Sequence, residues 1–164
     1  MMGCVLRSIV REDLVMLREH RNRADTRVWL GDARTVSAEQ QIAWYERHDP
    51  SCYKIALISD VPVGLVRVTH ADPFSACVGS DVFAPYRGQG YGHVVFAAAC
   101  ELAQRRSLWL RVFIENRRAL VIYEKAGFVL DQNAPVEQYL RTIPGDTVPR
   151  LLSYARMIRE EDSV

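Results

Sequence analysis

The chain changes its hydrophobic period from 2 to 3.6 across one short stretch, RGQGYG at residues 87–92. The run before it, ACVGSDVF (76–83), alternates as a strand does. The run after it, HVVFAAACELAQRR (93–106), places Val94, Val95, Ala98 and Leu102 on one helical face. A glycine turn that opens a helix leaves the N–H groups of the first turn bare and removes the side chains that would shield them. A helix start also carries partial positive charge, so this stretch is built to receive an anion, a phosphate above all.

The flanking pattern sets the architecture. CVLRSI (4–9) reads as a strand and REDLVMLREHRN (11–22) as a helix. Ser37 with Gln40 forms a capping box that opens a helix over 37–48. CYKIALIS (52–59) and VPVGLVRVTH (61–70) read as strands joined by a tight turn at Asp60, and ADPFS marks the turn before the next strand. LWLRVFI (108–114) is a strand. Asn116 caps a helix over 117–126, Gly127 closes it in the left-handed conformation, and FVLD (128–131) follows as a strand. Residues 132–149, with Pro135, Pro144 and Pro149, read as an irregular loop, and RLLSYARMI (150–158) as a strand or a helix. The order predicts one α/β (mixed α+β) domain over 1–164.

Composition excludes some functions. A net charge of +1 gives no general attraction to nucleic acid or to an anionic membrane. No stretch is long and apolar enough to span a bilayer, and MMGCVLRSIV lacks the apolar centre of a signal peptide. The four cysteines, at 4, 52, 77 and 100, show no metal-ligand spacing, so reduced thiols, a cytoplasmic location and no metal are expected.

The glycine spacing matches neither common phosphate loop. A P-loop ends in Gly-Lys-Ser/Thr, and no lysine stands here. A dinucleotide fingerprint needs a third glycine where His93 stands. VFAPYRGQGYG together with NRRALVIYEKAGF (116–128) instead resembles the GNAT superfamily of acetyl-CoA-dependent N-acetyltransferases. Arg87, Gly90 and Gly92 hold the places of that family's cofactor motif. Asn116, Ala119, Tyr123, Gly127 and Phe128 hold those of its second motif. A weaker likeness, through Asn22, Arg27, Glu39 and Trp44, is to the branch of ribosomal-protein N-terminal and nucleotide-amino-sugar acetyltransferases.

The resemblance implies a mixed, mostly antiparallel sheet of 6–7 strands, splayed into a V and flanked by about four helices. It implies acetyl-CoA as cosubstrate, its pantetheine arm against the backbone around Asp81, Val82 and Phe83. The pyrophosphate is expected on Arg87, Gly88, Gln89, Gly90, Tyr91 and Gly92, with Asn116 reaching in from the other side. Tyr123 is implied as the acid that serves the leaving thiolate. The base is open among Asp81, Glu115, His70, Asp72 and a water chain. Arg27, Trp44 and Arg111, with loop 132–149, are expected at the acceptor. Arg111 either meets an anion on the substrate or pairs with Glu115 or Asp81. QRRS (104–107) and NRRA (116–119) read as solvated surface, one of them a place for the 3′-phosphate of CoA.

The acceptor so read is the primary amine of a small molecule or amino sugar. A protein N-terminus, a nucleobase, or a non-catalytic acyl-CoA-binding role are the alternatives, and a homodimer is compatible with all of them.

Overall fold

The computed structural model describes residues 3–70, 72–105 and 107–160. Met1, Met2, Ala71, Arg106 and residues 161–164, which belong to the expected domain, lie outside the described residues. β1 (Val5–Ser8), β2 (Tyr53–Ile58), β3 (Val61–His70) and β4 (Ser75–Val82) form an antiparallel meander. Ser59 and Asp60 both take positive φ between β2 and β3, the backbone twist that suits a two-residue hairpin. β4 then pairs parallel with β5 (Ser107–Phe113), through the crossover helix α4 (Tyr91–Ala103). β8 (Arg150–Glu160) runs antiparallel to β5 along its whole length, and β6 (Val129–Leu130) and β7 (Glu137–Arg141) both pair with β8.

The sheet has eight strands, β6 and β7 being short. One correction concerns residues 132–149, which are not a plain loop but contain β7, the partner of β8 in a hairpin. Residues 150–158 are strand, not helix.

α1 (Leu14–Asn22), α2 (Ala24–Arg27) and α3 (Ala38–Arg47) cover one face, and α4 and α5 (Arg117–Lys125) the other. α3 starts on the capping box of Ser37 and Gln40. α4 buries Val95, Phe96, Ala98, Ala99 and Ala103, and stops at Gln104 in the left-handed conformation, short of residue 106. Phe96, Phe113, Phe128 and Leu108 are among the fully buried side chains. Each contributes roughly 1.5–3 kcal/mol by leaving water.

β4 and β5 pair only at Ser75–Ser107, Ala76–Leu108 and Cys77–Trp109. Beyond those pairs β4 follows β3 and β5 follows β8, and the two strands part company. The result is a wedge-shaped gap in the middle of the sheet.

Candidate active site

The gap is edged by bare backbone. Phe83 N–H donates to the Val63 carbonyl at 2.8 Å, so the alternation of an antiparallel ladder turns Ser80 and Val82 towards the gap. Phe83 itself is core, its ring meeting that of His20 edge-on at 5.1 Å. At the mouth of the gap Gly88 and Gly90 adopt φ of 76° and 82°, which side-chain-bearing residues rarely do. Among the described residues, the N–H groups from Gly88 to His93 have no hydrogen-bond partner. Six adjacent free donors at the start of a thirteen-residue helix form an anion cradle.

The flanking side chains divide. The Arg87 guanidinium turns away from the cradle, bonding Thr26 Oγ1 at 2.8 Å and the Val82 carbonyl at 3.1 Å, with Asp25 at 3.3 Å. Its N–H donates to Ala84, so Arg87 anchors α2 to the loop. The Gln89 side chain bonds the Pro85 carbonyl. Asn116 caps α5 through Oδ1, accepting from Ala119 N–H at 3.4 Å, and this leaves its amide donor uncommitted. Arg117 and Arg118 are exposed.

Tyr123 projects from α5 with its ring on Phe96 at 4.7 Å. Among the described residues its hydroxyl makes no hydrogen bond. Burial, then the charge of Asp81, push its pKa up to about 12, with Arg67 pulling the other way. The hydroxyl therefore keeps its proton at neutral pH and is free to donate.

Asp81 also lines a cavity of about 470 Å³ between α1, α3 and the sheet. Its carboxylate bonds Arg67 at 3.1 Å across the β3–β4 pair. Trp44 and Leu17 form part of the apolar wall. Trp44 stacks on His48 and meets Tyr53 edge-on. His20 lines the cavity as well, but both its ring nitrogens are buried without a partner, and burial holds its pKa below the usual value.

Of the residues expected at the acceptor, the structure brings Trp44 to the cavity and leaves two outside it. Arg27 reaches the carbonyls of Asn22 and Ala33, each at 2.9 Å, and fixes the α2–α3 loop. Asn22 clamps the same loop at Val36 through both amide atoms, and Glu39 is exposed on the first turn of α3. Arg111 is paired with Glu137 of β7 and stacks on the Tyr154 ring at 4.6 Å. Neither of its two expected partners is the real one, and its charge is compensated. From residues 132–149, Arg141 of β7 binds the carbonyls of Leu30 and Gly31 and so pins the loop that roofs the cavity.

Three of the candidate bases have other tasks. Glu115 accepts from Ser153 N–H, His70 meets the Ala103 carbonyl, and Asp72 caps Phe74 and Ser75. Asp81 alone among the four carboxylate and imidazole candidates lines the cavity. Reading the sequence missed Arg67, His20 and Arg21. The signals were there: Arg67 interrupts an apolar strand, and His20 continues the i, i+3 stripe of Leu14 and Leu17.

The acetyltransferase (GNAT) family model matches residues 14–128. The chain belongs to that family. Its fold is that of solved GNAT structures. Spermidine N-acetyltransferase from Vibrio cholerae, in complex with CoA and spermine, superposes with a TM-score of 0.78 at 18% identity, over 96% of this chain and 95% of that one. Ribosomal-protein-alanine N-acetyltransferase from Brucella melitensis gives 0.72 at 20%, over 96% and 99%. AAC(6′)-Ib in complex with ribostamycin and coenzyme A gives 0.69 at 22%, over 96% and 93%. No curated protein matches at the sequence level. Among the described residues of this GNAT chain, no group of three or more His, Cys, Asp or Glu could hold a metal ion. No helix among them is long and apolar enough to cross a membrane.

Proposed function

We propose that this acetyltransferase moves an acetyl group from acetyl-CoA to the primary amine of a small molecule. The observation that carries the reading is the run of free N–H groups from Gly88 to His93 at the mouth of the β4–β5 gap. That run suits a pyrophosphate, and the edge at Ser80 and Val82, where only the Val82 carbonyl is already taken, by Arg87, suits the amides of an extended pantetheine arm. The relatives of known structure include CoA complexes with small amines, which supports the donor and the acceptor class alike.

Acetyl-CoA supplies an acetyl group activated as a thioester. Tyr123 donates a hydrogen bond to the departing sulfur. Outright proton transfer from a phenol at about 12 to a thiolate with a conjugate pKa of ~8.5 is uphill by roughly 5 kcal/mol. A hydrogen bond that strengthens as charge builds is therefore the larger part of its contribution. Asp81 holds the amine at the junction of cavity and gap. As the C–N bond forms, the nitrogen's extra proton becomes acidic, and Asp81 receives it.

Titration calorimetry with acetyl-CoA, on the wild type and on Gly90→Asp, tests the donor site. A Cβ on Gly90 meets nothing within 4 Å, so the new carboxylate stays clear of the core, and because φ of 82° strains any residue with a side chain, the fold of the variant is checked before its affinity is read. Gly92→Asp is a poorer probe, because a Cβ there falls 2.5 Å from Ile122 Cδ1. Acetyl-CoA affinity should drop roughly 100-fold or more in Gly90→Asp, the size of one lost charge-assisted contact plus repulsion. Unchanged affinity in the folded variant would remove the cradle from the mechanism.

A further inference from the structure

The charges that line the cavity specify more about the acceptor than that it is an amine. Arg34 and Asp32 neutralise one another through a forked pair at 2.8 Å and 3.0 Å. Arg67 and Asp81 form a second pair, joined at a single nitrogen–oxygen contact of 3.1 Å. Arg21 is different. It bonds only main-chain carbonyls, those of Arg34 at 3.0 Å and Asp32 at 2.7 Å, and no carboxylate among the described residues comes within ion-pair distance of it. The acid that acts on it most strongly, Asp32, is already paired with Arg34, so in this concave, partly apolar site the Arg21 guanidinium has no ion-pair partner of its own among the described residues and favours a carboxylate or phosphate-type oxygen pair.

Among the described residues the cavity is lined by three arginines, Arg21, Arg34 and Arg67, against two carboxylates, Asp32 and Asp81, and this excess of positive charge disfavours a chain of several ammonium groups. Arg21, Arg67 and Asp81 all line this one cavity, so the amine end and the cationic wall face the same enclosed space. A volume of about 470 Å³ fits such a ligand.

We propose that the acceptor is an amine that carries its own anion, with the nitrogen at Asp81 and the carboxylate or phosphonate on Arg21. This rests on the reading of the protein as an acetyltransferase of small amines. It also moves the anion-binding role once expected of Arg111 to a residue on α1. The transfer balances without a further reactant: the ammonium gives one proton to water, the nitrogen lone pair so freed forms the C–N bond, the C–S bond breaks with its electrons on sulfur, and the proton that nitrogen then sheds through Asp81 ends on the thiolate.

The test is a thiol-release assay with acetyl-CoA on matched acceptors. These are leucine and its decarboxylated amine, the corresponding aminophosphonate, and spermidine. The wild type should favour the anionic members in kcat/KM by roughly 10- to 100-fold, the worth of one hydrogen bond between charged groups. Leucine against the phosphonate tells which anion fits. Arg21→Gln should erase the preference while acetyl-CoA affinity, read by calorimetry, stays within about twofold. Arg21→Lys keeps the charge and should retain part of the preference. Equal or higher kcat/KM for spermidine or the neutral amine, or turnover of no anionic member, overturns the proposal even if Arg21→Gln fails to fold. Loss of acetyl-CoA binding in the wild type is a separate result and would overturn the acetyl-transfer reading itself.

Discussion

Tyr123 separates packing from chemistry within one side chain. Its ring belongs to the cluster around Phe96 and Phe128, while its hydroxyl has no partner among the described residues. Tyr123→Phe should therefore leave the melting temperature and acetyl-CoA affinity nearly unchanged and lower kcat by ~100-fold, the usual scale for a group that serves a proton. Near wild-type turnover would reduce Tyr123 to a packing residue. Because burial and Asp81 push this phenol up to about 12, kcat should also show no tyrosine-derived fall between pH 8 and 10. Arg27 lives on a different link of the chain from sequence to function. It holds the last carbonyl of α1, Asn22, and the Ala33 carbonyl of the α2–α3 loop, so Arg27→Ala should cost roughly 1–3 kcal/mol in urea unfolding, through acceptors left unmet. If stability holds and only the acceptor KM rises, Arg27 is a substrate ligand after all. Sequence spacing could not tell these roles apart, because an arginine beside a cavity and an arginine bracing its wall have the same neighbours in the chain.

At the scale of elements, β3 and β4 leave no room for a side chain at Gly64. A Cβ on Gly64 would meet the Asp81 carbonyl oxygen at 2.4 Å, backbone against backbone, with no flexible side chain to yield. Gly64→Ala should destabilise by roughly 1–3 kcal/mol and displace Asp81. Urea unfolding reads the first effect and acceptor KM the second. An unperturbed variant would mean that the two strands tolerate more separation than their register allows. The elements around the site were legible because each carries a local mechanism: a capping box before α3, glycines before α4, Asn116 and Gly127 around α5. β7 was not legible. It is a five-residue strand between Pro135 and Pro144, half exposed, and what makes it a strand is β8, which begins at Arg150, the partner of Arg141. The cavity was hidden for the same reason. Its Arg67–Asp81 floor depends on which strands sit side by side, a pairing that no stretch of either strand declares alone.

The molecule as a whole carries a pH liability in His20. The ring is buried, its nitrogens are unpartnered, and desolvation holds its folded pKa below the ordinary 6.5, with Arg87, Arg67 and Arg23 acting in the same direction and Asp81 against them. The unfolded chain therefore binds this proton first, and stability, complete above about pH 6.5, falls as pH drops below that value. Urea midpoints at pH 5 and pH 7.5 should differ in the wild type and converge in His20→Phe. A constant midpoint in the wild type would show that the ring titrates alike in the folded and unfolded chain. The parting of β4 and β5 has its own consequence, on the timescale of isotope exchange. The sheet contains an edge in its interior, so the amides of Ser80 and Val82 should trade hydrogen for deuterium far sooner than that of Phe83, which Val63 holds. A donor whose amide-bearing arm lies along that edge completes the ladder as a guest strand. It should slow those two amides, and a saturating level of acetyl-CoA that left their exchange rates untouched would mean that the wedge is filled by something else.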